Sequence, residues 1–242
     1  MPRVAPVVPA EADLLCEKCG YTLNGLPLTG NCPECGKPIA ESIGEHRKLP
    51  AWEQPHRSVR GFFLTMYHVL FTPTNFFKTL ITRRAADDDA IFAIINWGVA
   101  SIFFAIAAMG HLLWFGGIVW PTQVERTIAP VPVIALLIFA LLFGTTWLAA
   151  RLTHWEASYR GYRLPLRVID RGLNFHAAHY LPVALLAFVT VFGYRFLPFH
   201  GALQLHLTEI YLYTLCGEVI VCAIYLFYTY WIAMRNMMYA NR

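Results

Sequence analysis

Four stretches, residues 90–115, 130–150, 173–194 and 207–233, each carry close to the ~20 apolar residues that a helix needs to cross a bilayer. A water-soluble bundle would place polar residues at every third or fourth position along an outer face, and these stretches have no such face. Only 14% of the chain is charged while 57% is hydrophobic. Soluble domains carry about 25% charged residues, so much of this surface faces something other than water. The expected fold class is an all-α transmembrane helical bundle of four spans, with interfacial amphipathic helices beside it. The lipid bilayer is therefore the first expected partner.

Basic residues set the expected orientation. The connection between the second and third spans holds Arg151, Arg160, Arg163, Arg167 and Arg171, whereas the other two connections offer Arg126 and Arg195 alone. The positive-inside rule places the middle connection in the cytoplasm, and four crossings then put both termini there. Arg57, Arg60, Lys78, Arg83 and Arg84 before the first span agree, as do Arg235 and Arg242 after the last. Aromatic rings that favour the headgroup layer mark the span ends: Trp114 and Trp120, Trp147 and Trp155, and Tyr228, Tyr230 and Trp231.

Ahead of the spans stand two C-x-x-C knuckles, Cys16-Glu17-Lys18-Cys19 and Cys32-Pro33-Glu34-Cys35, each followed by glycine (Gly20, Gly36). Glycine lets the backbone turn so that N–H groups can point at thiolate sulfur. Four thiolates at this spacing suit tetrahedral Zn²⁺ and predict a zinc ribbon over residues 14–40, with Cys16, Cys19, Cys32 and Cys35 as ligands. Disulfides would need an oxidising compartment, and the first ten residues contain no signal-peptide h-region. The knuckles also resemble those of rubredoxin, but the insert between them is short and carries one aromatic, Tyr21. All four positions are cysteine, so no coordination site is left open for catalysis. The segment's few sizeable apolar side chains include Leu15, Tyr21, Leu23, Leu26, Leu28 and Ile39. Structural zinc contributes on the order of 10–16 kcal/mol in small fingers, more than such a core supplies, so the metal-free ribbon should be unfolded. Nucleic acid is not expected as a partner: between residues 11 and 45, Lys18 and Lys37 are outnumbered by Glu11, Asp13, Glu17, Glu34, Glu41 and Glu45. A protein contact suits this acidic head better.

The domain division expected is a flexible start over residues 1–13, the ribbon over 14–40, a polar tether over 41–55 and the membrane domain over 56–242. Residues 56–84 mix apolar and basic side chains around Pro73 and read as two helices lying along the membrane face. A fifth crossing over residues 61–71 would be too short. Asp87, Asp88 and Asp89 precede the first span as helix-terminal acids. Arg163, Arg167 and Arg171 recur every four residues, which predicts one basic face of a further interfacial helix, suited to anionic lipid headgroups.

Glu218 falls mid-way along the fourth span. A central charged residue costs roughly 2.5–3.5 kcal/mol on insertion scales, and the surrounding aliphatic and aromatic residues outweigh it. It reads as a protonated or hydrogen-bonded structural group, with proton or ion handling as the alternative. His176 and His179 are neighbours at the start of the third span and read as interfacial hydrogen-bonding groups. Cys216 and Cys222 read as small buried hydrophobes.

Residues 69–239 resemble the Yip1 family of multi-spanning membrane proteins in its bacterial form. The likeness is carried by Pro73-Thr74-Asn75-Phe76-Phe77, by Tyr162-Arg163-Leu164-Pro165-Leu166-Arg167-Val168 and by Ala177-Ala178-His179-Tyr180-Leu181-Pro182. That family usually shows five crossings against the four counted here, and the resemblance implies no enzyme. Three functions are carried forward. The leading one is a non-enzymatic protein of a bacterial inner membrane, possible as a homo-oligomer, whose zinc ribbon is a protein-docking or scaffold head. The alternative is a small transporter or an ion- or proton-conducting protein using Glu218 with His176 or His179. The third is a lipid-modifying membrane enzyme.

Overall fold

The computed structural model describes residues 8–43, 47–55, 58–82, 88–114, 130–196 and 203–241. Among these the helices are α1 (Val59–Phe71), α2 (Pro73–Thr79), α3 (Asp88–Trp114), α4 (Pro130–Tyr159), α5 (Leu166–His176), α6 (Tyr180–Phe196) and α7 (Leu203–Met237). The described residues contain no strand, only three isolated bridges. Four stretches are long and apolar enough to cross a membrane: Asp88–Leu113, Pro130–Tyr159, Leu166–Tyr194 and Glu209–Met237. The chain is an all-α, multi-pass membrane protein. Helix α1 has 13 residues. At about 20 Å it falls well short of a ~30 Å hydrocarbon core, so no fifth crossing lies there.

The third span is not one helix. Helix α5 ends at His176, a 3₁₀ turn covers Ala177–His179, and α6 restarts at Tyr180. Pro182 is the third residue of α6, where its missing N–H falls among first-turn donors that have no intrahelical partner. The second apolar helix runs nine residues past the expected end at 150, to Tyr159. The predicted break between α1 and α2 is present, with Ser58 capping α1 and Pro73 opening α2.

The chain forms two compact units. One comprises Met1–Phe92, Thr146–His176 and Thr229–Arg242; the other comprises Ala93–Thr145 and Ala177–Tyr228. The ribbon and the expected tether thus share a unit with the connection around residue 160 and with the C-terminal tail. The tether is pinned rather than free. Lys48 bridges to Leu80, its N–H donating to Thr79 O at 2.6 Å, and Trp52 Nε1 donates to Asp88 O at 2.8 Å. An aromatic core fixes this unit, with Phe62 4.9 Å from Phe92 and Phe175 5.3 Å from both Phe76 and Phe92.

The second unit is packed by small residues. Ala93, Ala100, Ala177 and Ala184 are buried with Trp97 and Leu142, allowing close helix approach, and Trp97 rests edge-on against Phe139 and Phe143. Leu136, Leu137 and Leu141 on α4 are more than 60% exposed, an apolar exterior suited to lipid. Trp147, Trp155, Tyr228 and Trp231 are exposed near the expected span ends, and Arg151 lies 5.1 Å over the Trp147 ring. Gly44, Arg57, Arg83, Arg84, Asp87, Trp120, Arg126, His200 and Arg242, and the side chains of Trp114, Arg195 and His206, lie outside the described residues.

Candidate metal centre and the contacts that hold it

Each knuckle is a tight hairpin closed by an antiparallel bridge, Leu15 to Thr22 in the first and Asn31 to Pro38 in the second. The two repeat one hydrogen-bond pattern. Cys16 N donates to Tyr21 O and Gly20 N to Cys16 O, while Cys32 N donates to Lys37 O and Gly36 N to Cys32 O, at 2.8–2.9 Å. Gly20 and Gly36 adopt φ of +81° and +70°, the left-handed turn that glycine enters without penalty. This brings all four Sγ atoms within 4.8 Å of one another. Cys16 Sγ lies 3.5 Å from Cys35 Sγ, and Cys19 Sγ 3.6 Å from Cys32 Sγ. Sulfurs bound tetrahedrally at about 2.3 Å would be about 3.8 Å apart, so the four predicted cysteines fit a metal ion. The cluster is too open for disulfides, whose sulfurs stand about 2.0 Å apart.

The thiols are not equivalent. Burial pushes Cys16 up, but N–H groups of Cys19 and Lys18 and the Cys35 and Cys19 thiols outweigh it and bring Cys16 down to about 7. Burial, then Glu34 and the other two knuckle thiols, raise Cys19 against the Tyr21 N–H. The Lys37 N–H lowers Cys35, yet burial and the Cys16 and Cys32 thiols raise it on balance. Without a cation the cluster keeps protons that a bound metal would displace.

The ribbon is stitched to two remote parts of its unit. Asn241 accepts from Leu15 N at 3.0 Å, and its Nδ2 donates to Leu15 O and Ser42 O at 2.6 Å. Its backbone N–H donates to Glu17 Oε1 at 3.0 Å, and the same oxygen takes Arg47 Nη2 at 2.9 Å. Arg163 reaches the carbonyls of Ala10, Asp13, Tyr239 and Ala240 and the Asn241 side-chain oxygen. Tyr239 takes a positive φ of 62°, so helix α7 stops and the ring turns back onto Gly20.

A Cβ at Gly20 would meet that ring at 2.6 Å, whereas a Cβ at Gly36 would meet nothing within 4 Å. Gly20→Ala is therefore expected to destabilise the protein by about 1–3 kcal/mol more than Gly36→Ala, which carries the conformational cost alone. Thermal unfolding of the two variants side by side measures the difference, and equal losses would remove the Tyr239 contact as its cause.

Two of the three arginines expected at lipid headgroups, Arg163 and Arg171, are buried instead. Arg163 precedes α5 instead of lying on it, and is 5% exposed. Arg171 is 3% exposed; it donates to both carboxylate oxygens of Glu53 at 2.8 and 2.6 Å and to Ile81 O, and lies 3.5 Å from Asp89. Arg167 is half-exposed and pairs with Glu11 at 2.5 Å. A buried guanidinium needs fixed oxygen partners, and these two have them within the protein. Asp88 and Asp89 sit in the first turn of α3 as expected, but Asp89 also accepts from Asn174.

No family model, curated protein or solved structure matches the chain. The remaining candidates must be read from geometry. His176 bonds Thr229 at 2.9 Å and His179 bonds Tyr225 at 2.7 Å, each acting as a hydrogen-bonding group. Glu218 bonds neither, and its Oε2 is buried without a hydrogen-bond partner. Cys222 is buried, as expected, but Cys216 is exposed. Sequence reasoning missed Asn241, Arg47, Glu53 and Tyr239. No local pattern marks Asn241; an arginine and a glutamate in a polar tether look solvated until their partners, 30 and 118 residues away, are known.

Proposed function

We propose that the protein is a non-enzymatic integral membrane scaffold whose ribbon, loaded with structural Zn²⁺, is a rigid head on the cytoplasmic side. The observation that carries this reading is the double attachment of the ribbon, by Asn241 to the C-terminal tail and by Arg163 to the connection before α5. A flexible lure for partners would not need buried bonds on both sides. Zinc is favoured because four closed thiolates offer tetrahedral soft ligation and no open position. The arginine-rich connection favours the cytoplasmic side, and the bonds joining ribbon, connection and tail suit an even number of crossings. The Yip1 likeness supports a non-enzymatic membrane role in a bacterial inner membrane.

The free face of the head supports protein docking. Tyr21 and Leu28 are 41% and 53% exposed on a ribbon that has little apolar surface to spare. A photo-crosslinking residue at Leu28, in the full chain and in native membranes, should give a discrete adduct that Tyr21→Asp removes while the metal is retained. An adduct unaffected by Tyr21→Asp, or none at all, would leave a purely structural head.

A further inference from the structure

Helix α7 is polar on its packed face and apolar on its exposed one. Val219, Ile220, Val221, Ile224 and Phe227 are all more than 60% exposed. Facing inward instead are Leu215 and Leu226, both partly buried, and a seam of five residues: Tyr211, Thr214, Glu218, Cys222 and Tyr225, with Tyr211 and Cys222 buried and the other three partly so. At 100° per residue these five positions fall within an arc of about 80°, and they extend about 21 Å along the axis, most of a ~30 Å hydrocarbon core. All belong to the second compact unit.

Hydrophobic association does not explain a polar packed face in lipid, where apolar side chains do equally well on either side. Hydrogen bonding accounts for its ends. Tyr211 OH meets His111 Nδ1 of α3 at 2.6 Å, Thr214 Oγ1 meets Tyr194 OH of α6 at 2.9 Å, and Tyr225 OH meets His179 Nδ1 at 2.7 Å. Between these pairs stands Glu218, with Oε2 buried and no hydrogen-bond partner. A carboxyl group placed there purely for packing would be expected to find a donor, because an intramembrane acid without one is costly.

We propose that this seam carries protons through the membrane unit, with Glu218 as the group that is protonated and released in mid-membrane. Tyr211 and Cys222 flank Glu218 on its own helix, and the hydrogen-bond partners along the seam, His111 on α3, Tyr194 on α6 and His179 just before it, can likewise exchange a proton. Helix α4 presents no titratable group between Pro130 and Thr145, and the other described carboxylate of the unit, Glu209, is exposed. One acid, its Oε2 buried among hydroxyl, thiol and imidazole groups, serves a proton. It does not serve Na⁺, Mg²⁺ or Ca²⁺, which require several converging oxygens. Each transfer adds a proton to one lone pair and releases another from the same group, so the seam returns to its starting state after every proton passed.

The test uses the full chain in liposomes carrying a pH-sensitive dye, with a K⁺ diffusion potential as the driving force. Wild-type vesicles should acidify at least tenfold faster than protein-free ones. Glu218→Gln should fall to the protein-free rate, and Glu218→Asp should keep part of the flux. The pair Tyr211→Phe and Tyr225→Phe preserves ring packing while deleting the hydroxyls, and each should slow the flux even if Glu218→Gln proves unstable. Wild-type vesicles no faster than empty ones would overturn the proposal. So would full flux in Glu218→Gln, or in both tyrosine variants.

Discussion

Cys32→Ser in the full chain is expected to lose the bound metal and to open residues 8–43 to protease, while the helical content of the membrane spans stays unchanged. The magnitudes decide this outcome. Structural zinc contributes on the order of 10–16 kcal/mol in small fingers. Against it stands a ribbon in which Leu15, Leu23 and Ile39 are the fully buried aliphatic side chains among the described residues. Each buried aliphatic side chain is worth about 1.5–3 kcal/mol, so the metal dominates. The effect should spread, because Asn241 and Arg163 take their partners from the ribbon backbone at Leu15, Ser42 and Asp13. Cleavage should therefore also appear near residues 238–241. Because Cys19 and Cys35 hold their protons more tightly than an ordinary thiol, acidification should release the metal and alkaline conditions should favour loading. Metal content by mass spectrometry, limited proteolysis and circular dichroism check these outcomes together. A metal-free protein with its ribbon still protected would show that the docking bonds alone suffice.

What could be read from the sequence was what depends on near neighbours. The four thiols lie in two short knuckles whose glycines dictate their own turns, so ligand identity and geometry were both legible. Span number follows from hydropathy, and it too was legible. The arginines were misread because their partners are remote: Arg171 meets Glu53 across 118 residues and Arg163 meets Asp13 across 150. Periodicity placed Arg163, Arg167 and Arg171 on one helix, but Pro165 suits the very start of a helix, and α5 begins immediately after it. That proline was the available signal that Arg163 stands outside. Likewise Glu218 was visible as an oddity, whereas its setting became apparent only when Tyr211, Thr214, Cys222 and Tyr225 were seen to share the packed face.

Arg171→Met should destabilise the protein by about 3–5 kcal/mol, because it removes the guanidinium that both oxygens of a water-excluded carboxylate bind. The Glu53 side chain is 0% exposed and that of Arg171 4%. Taking two charges out of water is expensive, and their bidentate bonds offset that expense only while both are present. The double change Glu53→Gln with Arg171→Met should therefore recover much of the loss, since it removes both charges and leaves an amide. Arg167→Met is the contrast. Its pair with Glu11 has the same chemistry, but both side chains are about half exposed, and such surface pairs are worth about 0–1 kcal/mol. Thermal unfolding of the four proteins in one detergent measures the ordering. The expected order is wild type close to Arg167→Met, then the double variant, then Arg171→Met lowest. If Arg171→Met unfolded with Arg167→Met, the buried pair would be no anchor. The union of the tether with α5 would then have to rest on the Trp52, Phe62, Phe92 and Phe175 rings instead.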